Sequence, residues 1–289
     1  MERLIDVMHL GRDRVIGAYV VQGDASGDAL RGDAVVVDPG PASCVETLLE
    51  QVRPRVLLLT HIHLDHAGAT GVLVRRFPEI RVYVHERGAP HLVDPSKLLA
   101  SAEKLYGDDM ERLWGEVAPV PEENVHALSG GETVEGFRVE YAPGHASHHV
   151  VYLNEESGSC FTGDVAGVRV PPADVAFAPT PPPDIDIEKW RASLDLVEGL
   201  QPERLCITHF GVVDDVGGQL ERVRRALSEW GDLARELDRD EFVRRLSAAM
   251  HEAGDDIGER FEQAAPPDQL YQGLDRYWRK RAEHEDKAA

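Results

Sequence analysis

Short apolar runs alternate with helix-spaced segments through the first half of the chain. Residues 15–21 and 34–37 are apolar and rich in β-branched side chains, with Gly and Asp turn formers between them. The string Val36-Val37-Asp38-Pro39-Gly40 ends a strand in a turn. Residues 42–52 repeat at helical spacing, with Val45, Leu48, Leu49 and Val52 on one face. Residues 55–60 form the next strand, 68–77 a helix that stops before Pro78, and 81–85 another strand. This β-α-β-α-β order predicts parallel pairing in a covered sheet.

The pattern then changes. Residues 96–117 read as a helix with Leu98, Leu99, Leu105, Met110 and Trp114 as its apolar positions, an insertion placed to form a lid. Strands return at 137–142, 150–153 and 159–162, with Gly158 in a tight turn between the last two. Residues 171–183 contain six prolines and read as a stiff, irregular loop. A helix at 185–200 and a strand at 204–208 follow. From Gly218 onward only helical spacing remains, at 220–237, 240–253 and 267–281. That tail is either a helical subdomain packed on the core or a dimerisation element, which leaves a homodimer open.

Composition narrows the class. At 289 residues and 42% hydrophobic, the chain can bury a sizeable core. It has no apolar stretch long enough for a membrane helix and no basic-then-apolar leader at its start, so a cytoplasmic protein is expected. Net charge is −21, from 31 basic and 52 acidic residues. That charge repels nucleic acid and, with no basic stripe, makes a small molecule the expected partner. The acidity fits a soluble surface or adaptation to salt. Cys44, Cys160 and Cys206 are too scattered for a disulfide framework or a thiolate cluster and read as small buried hydrophobes.

The candidate chemistry sits at strand ends. Thr60-His61-Ile62-His63-Leu64-Asp65-His66-Ala67-Gly68 directly follows the apolar run at 56–59. Ala142-Pro143-Gly144-His145, Phe161-Thr162-Gly163-Asp164 and Thr208-His209-Phe210-Gly211 repeat the theme, a His or Asp beside a Gly at the end of an apolar run. Imidazole and carboxylate are the ligands a borderline divalent metal prefers. One such His is usually structural; five His and two Asp at four strand ends point to a metal site.

These motifs, T-H-x-H-x-D-H-x-G followed by G-H, G-D and a late His, resemble those of the metallo-β-lactamase superfamily over roughly residues 10–212. The resemblance implies an αββα sandwich of two mixed sheets, with a catalytic domain at 1–217 and a helical subdomain at 218–289. It implies two divalent metal ions, zinc first, with iron or manganese as alternatives. One ion falls to His61, His63 and His145, the other to Asp65, His66 and His209, with Asp164 bridging. Asp38 is expected to contact the histidine cluster from the outside, and Thr60, Thr162 and Thr208 are weaker candidates for the same role.

Two ions about 3.5–4 Å apart can share a water and bring its pKa toward 7. The expected activity is therefore hydrolysis of an ester, thioester or lactone by a metal-bridging hydroxide, with Asp65 handling the proton. The resemblance to glyoxalase II and lactonase members supports this class, while export-dependent β-lactamase activity does not fit the start of the chain. Two other readings stand beside it. One is a mononuclear non-haem iron oxygenase of the persulfide dioxygenase type, using His61 or a neighbour with His145 and Asp164. The other is a non-catalytic metal-binding sensor. Substrate choice is expected to lie in residues 86–117, the loop at 165–183 and the tail. Tyr106, Trp114 and Phe177 read as core residues or, alternatively, as apolar walls of the site. One of His148 and His149 is a candidate pocket residue; His85, His91 and His126 read as structural or exposed.

Overall fold

A computed structural model describes residues 2–22 and 34–288; the turn expected between residues 21 and 34 lies largely outside the described residues. Two six-stranded sheets pack face to face. The first runs in chain order: β1 (Glu2–Asp6), β2 (Gly17–Gln22), β3 (Ala34–Val37), β4 (Pro54–Leu58), β5 (Arg81–His85) and β6 (Val125–Leu128). From β3 to β6 the pairing is parallel, as the alternating order predicts, while β1 and β2 add antiparallel.

The second sheet holds β7 (Thr133–Val134), β8 (Phe137–Tyr141), β9 (Val150–Asn154) and β10 (Ser159–Phe161). A small ribbon, β11 (Val168–Arg169) with β12 (Ala176–Phe177), precedes its last strands, β13 (Arg204–Ile207) and β14 (Gly211–Val213). Only β10 and β13 pair in parallel here.

Strand alternation sorts the central side chains into two layers. Val35, Val37, Val56 and Leu58 face inward to Phe137, Tyr152 and Phe161 of the second sheet. Val36, Leu57 and Leu59 point outward. There they meet Leu48 of α1 (Val45–Leu49) and, past the short α2 (Leu64–Ala67), Leu73 and Val74 of α3 (Thr70–Arg76). Strands buried on both faces read as continuous apolar runs, which is why β3 and β4 were legible.

The single helix expected at 96–117 is not formed. After α4 (Ala89–Val93), the chain makes α5 (Ser96–Tyr106), turns at Gly107 with φ 50°, and forms α6 (Met110–Trp114). Gly107 ends α5 because glycine takes positive φ without strain. On the second sheet's outer face lie α7 (Ile187–Gly199) and the tail: α8 (Val216–Glu236), α9 (Arg239–Met250), α10 (Asp255–Ala264) and α11 (Pro267–Ala288). Asp186, Asp215 and Asp238 start α7, α8 and α9 by accepting a backbone N–H three residues on. Leu220, Phe242, Phe261 and Leu274 of the tail share one hydrophobic cluster with Trp190 and Phe177. Phe177 therefore serves the core rather than the site. The three cysteines are buried and unpaired. Among the described residues no helix is long and apolar enough to cross a membrane.

Candidate metal centre

The seven predicted ligand residues come from four strand ends and meet at one edge of the sandwich. β4 delivers Thr60–His63, and α2 follows at once, so Asp65 and His66 ride on a helical turn rather than a loop. β8, β10 and β13 deliver His145, Asp164 and His209. Gly163 takes φ 47°, and a Cβ there would lie 2.4 Å from the Thr60 hydroxyl, so only glycine lets β10 turn into the cluster.

Two groups of donor atoms result. In the first, His63 Nδ1 lies 3.0 Å from His61 Nε2 and 2.9 Å from His145 Nε2. Asp164 Oδ2 is 3.2 Å from His145 Nε2 and 4.0 Å from His61 Nε2. In the second, His66 Nε2 and His209 Nε2 are 3.2 Å apart. Asp65 Oδ2 is 3.3 Å from His209 Nε2 and 3.8 Å from His66 Nε2. The other oxygen of Asp164, Oδ1, faces this second group at 3.2 and 3.5 Å. One carboxylate thus turns an oxygen toward each group.

The surrounding hydrogen bonds set the tautomers. His145 Nδ1 donates to the Pro179 carbonyl at 2.8 Å, and His209 Nδ1 to the Val15 carbonyl at 2.6 Å. His66 Nδ1 donates to Asp38 Oδ2 at 2.8 Å. The Thr60 hydroxyl donates to the same oxygen, so it accepts from His61 Nδ1 at 3.1 Å. With protons held on the outer nitrogens, four Nε2 lone pairs point inward at one another. Facing lone pairs repel unless a cation lies between them. The donor separations bracket the edge of a tetrahedron around an ion with ligand bonds near 2.0–2.1 Å, roughly 3.3–3.4 Å. The residues fit divalent metal.

Asp38 is the hub beneath the cluster. It is fully buried at φ 49° and also accepts the Thr60 N–H at 2.8 Å and the Thr208 hydroxyl at 3.0 Å. Thr162 is different: its buried hydroxyl has no hydrogen-bond partner among the described residues.

The electrostatics favour bound positive charge. Burial and the neighbouring imidazoles hold His61 far below the usual histidine range, and burial with His145 takes His63 down to about 4. Burial also lowers His145, against the pull of Asp164. Burial opposes the charge on Asp65 and Asp164, but the imidazoles beside them prevail and hold both below the usual carboxylate range. Burial likewise opposes charge on His66 and His209, and there the carboxylates prevail and raise both. Ionised carboxylates and the neutral imidazoles of His61, His63 and His145 are the ligand forms a cation needs, and at His66 and His209 a metal ion would take the place of the proton that the carboxylates favour.

A cavity of about 520 Å³ opens over both groups. Its walls come from the three predicted segments: α5–α6, the proline-rich loop at 179–184, and the α10–α11 junction. Tyr106 and Trp114 line it, as does His148 of the histidine doublet. His149 is buried instead, and its Nε2 accepts the Asp164 N–H at 3.3 Å. His91, read as structural or exposed, also lines the cavity. The sequence offered no motif for His9, whose ring stacks on Trp114 at 5.5 Å and forms part of the same wall. A lone histidine in an N-terminal loop carries no spacing signal.

The sequence profile of the metallo-beta-lactamase superfamily matches residues 18–209, and the chain belongs to that superfamily. Among its relatives is the metallo-beta-lactamase fold-containing protein ST1585 of Sulfurisphaera tokodaii, 30% identical over 186 residues, or 62% of this chain and 69% of that one. The crystal structure of ST1585 superimposes with a TM-score of 0.70 at 24% identity, covering 94% of this chain and 97% of that one. Hydroxyacylglutathione hydrolase of Xanthomonas campestris pv. campestris is 32% identical over 139 residues, 46% of this chain but only 42% of that enzyme's length. TTHA1623, solved in a di-iron-bound form, superimposes with a TM-score of 0.53 at 26% identity, covering 72% of this chain and 93% of that one.

Proposed function

We propose that the protein is a hydrolase of esters, thioesters or lactones that works with two divalent metal ions, zinc first among them. The observation that carries this reading is Asp164, whose two oxygens face two separate and complete donor groups. His61, His63, His145 and Asp164 would hold one ion; Asp65, His66, His209 and the same Asp164 would hold the other. Ions held there would supply a water that is nucleophilic near neutral pH and polarisation of the substrate carbonyl.

The chain's own residues do the rest. Asp65 is 20% exposed at its side chain against 4% for Asp164, so of the two carboxylates that line the cavity it is the more open. It would take, at Oδ1, the proton that the attacking water gives up, since Oδ2 is the oxygen facing His66 and His209. Asp38 and the carbonyls of Pro179 and Val15 keep the imidazoles from rotating as charge develops. Similarity to hydroxyacylglutathione hydrolase supports a thioester within this class. The likeness to a di-iron-bound protein supports iron as the alternative metal.

The test is metal content of the natively purified protein, with turnover of p-nitrophenyl esters, lactones and S-lactoylglutathione. Two zinc per chain and Asp65-dependent hydrolysis are expected. One iron with oxygen uptake would replace the hydrolase by the mononuclear oxygenase. Metal-loaded protein that turns over none of these leaves the sensor.

A further inference from the structure

The cavity has two unlike ends, each attached to one donor group. At the second group the wall is apolar. Leu64, flanked by His63 and Asp65, packs against Leu98, Ala102, Tyr106, Leu113 and Trp114. Tyr106 also lies edge-on to Trp114 at 5.0 Å, and its hydroxyl donates to Gln269 Oε1 at 3.3 Å. That bond joins the inserted helix α5 to the tail helix α11 and closes the chamber over Asp65. Burial and the Asp65 charge push the Tyr106 phenol up, so it stays neutral.

At the first group the wall is polar and cationic. His148 stands beside His63 at 5.8 Å between ring centres. Arg87 and Lys97 line the cavity and are exposed to solvent. Of the acids in the lining, Asp65 and Asp164 belong to the donor groups and Asp109 pairs with Arg112 at 2.9 Å; Asp184, held by the Ser147 hydroxyl, keeps its charge. Arg87 donates to the Tyr141 hydroxyl at 3.0 Å rather than to a carboxylate. In a chain of net charge −21, a rim with two exposed cations to one free carboxylate favours anions.

We propose that the substrate is an ester or thioester whose acyl part is an apolar chain or ring and whose leaving group is anionic. The acyl part occupies the chamber under Tyr106 and Trp114, and the leaving group stays at the mouth by Arg87 and Lys97. This places the scissile carbonyl between the two donor groups and rests on the hydrolase reading. The reaction is balanced by water alone: the acyl–oxygen or acyl–sulfur bond breaks, a carboxylic acid forms, and the leaving group takes the proton. A chamber lined by leucines and aromatics offers a short hydroxyacyl group little to hold.

The test is calorimetric titration of the as-purified protein with thioethers that no hydrolase cleaves: S-methyl, S-butyl and S-octyl derivatives of glutathione and of coenzyme A. Affinity is expected to rise about fourfold per added methylene within the chamber, the equivalent of roughly 0.8 kcal/mol each. Ser101→Trp, at an exposed position lining the cavity where folding is not at stake, flattens that rise; Leu105→Trp does so from deeper in. Arg87→Glu weakens every anionic thioether by about tenfold and leaves the neutral thioether methyl octyl sulfide unchanged. The carrier bound more tightly tells carboxylate recognition from phosphate recognition. Equal affinity for methyl and octyl thioethers would overturn the proposal, even if S-lactoylglutathione is hydrolysed. Graded binding without turnover of octanoyl thioesters would instead leave the chamber standing and defeat the hydrolase reading.

Discussion

The floor and the walls of the cavity are built by opposite means. On the floor, His66, His145 and His209 each have an outer nitrogen tied to a group on another element, and Asp38 gathers four donors. The walls are held by apolar contacts and by a few bonds such as Tyr106 to Gln269. A polar, over-determined floor cannot shift without leaving buried groups unpaired. An apolar wall can exchange side chains at modest cost. The floor is suited to keep one chemistry while the walls change the substrate.

The sharpest way to break this contrast is at the shared carboxylate. Asp164→Ala removes one donor from both groups, so metal content is expected to fall well below two per chain. kcat/KM should fall by about a thousandfold or more, the several kcal/mol that Lewis-acid assistance supplies. If full metal content survives, the two groups are not joined through Asp164.

One layer further out, Asp38→Ala leaves the Thr60 N–H, the Thr60 and Thr208 hydroxyls and the His66 Nδ1–H without their acceptor. Metal affinity or activity should drop by about 10–100-fold. An equally active variant with unchanged metal binding would show that the floor is not held from below.

Gly273 tests where wall and floor connect. It sits on α11 against the backbone of Thr180, where an added Cβ would come within 1.9 Å of the carbonyl oxygen. The Thr180 hydroxyl donates to Leu270 O at 3.1 Å, and the preceding carbonyl, of Pro179, holds His145. Gly273→Ala is expected to cost about 1–3 kcal/mol of stability in chemical denaturation. It should also weaken metal binding in the first group through His145. Loss of stability with both metals bound as before would mean that the tail stops at the wall.

The smallest effect belongs to the distant surface. Asp255 accepts from His251 at 3.1 Å and, with Glu262, raises the histidine's pKa above its ordinary value. A raised folded-state pKa stabilises the protein below the unfolded value, and that contribution is lost as pH climbs through the raised one. Tm should therefore slip slightly as pH climbs from about 6.5 through the raised value. His251→Gln should remove that component while leaving the cavity's substrate preference alone.

Much of the floor was legible because its signals are local. Ligand-type residues in a short string that ends an apolar run and contains a glycine need no partner to be recognised, and His61, His63, Asp65, His66, His145, Asp164 and His209 all announce themselves this way. The inner strands β3 and β4 were legible because burial on both faces forces continuous apolar sequence. The edge strand β1, Glu-Arg-Leu-Ile-Asp, was not, because most of its side chains are only partly buried and its polar composition hides the strand. The helix α10 was missed for a related reason: Asp255–Ala264 buries only a narrow stripe around Ile257 and Phe261.

The sequence by itself determined which His and Asp residues stand at the strand ends, the inner strands of both sheets and the helical character of the tail. Only the tertiary structure decided how Asp164 divides its oxygens, that His9 and Gln269 reach the cavity, and that Phe177 does not. It also decided that α5 and α11 meet above Asp65. The reason is physical. Period and composition tell which face of an element is buried, but the identity of what covers that face depends on contacts across more than a hundred residues. No local pattern records those contacts.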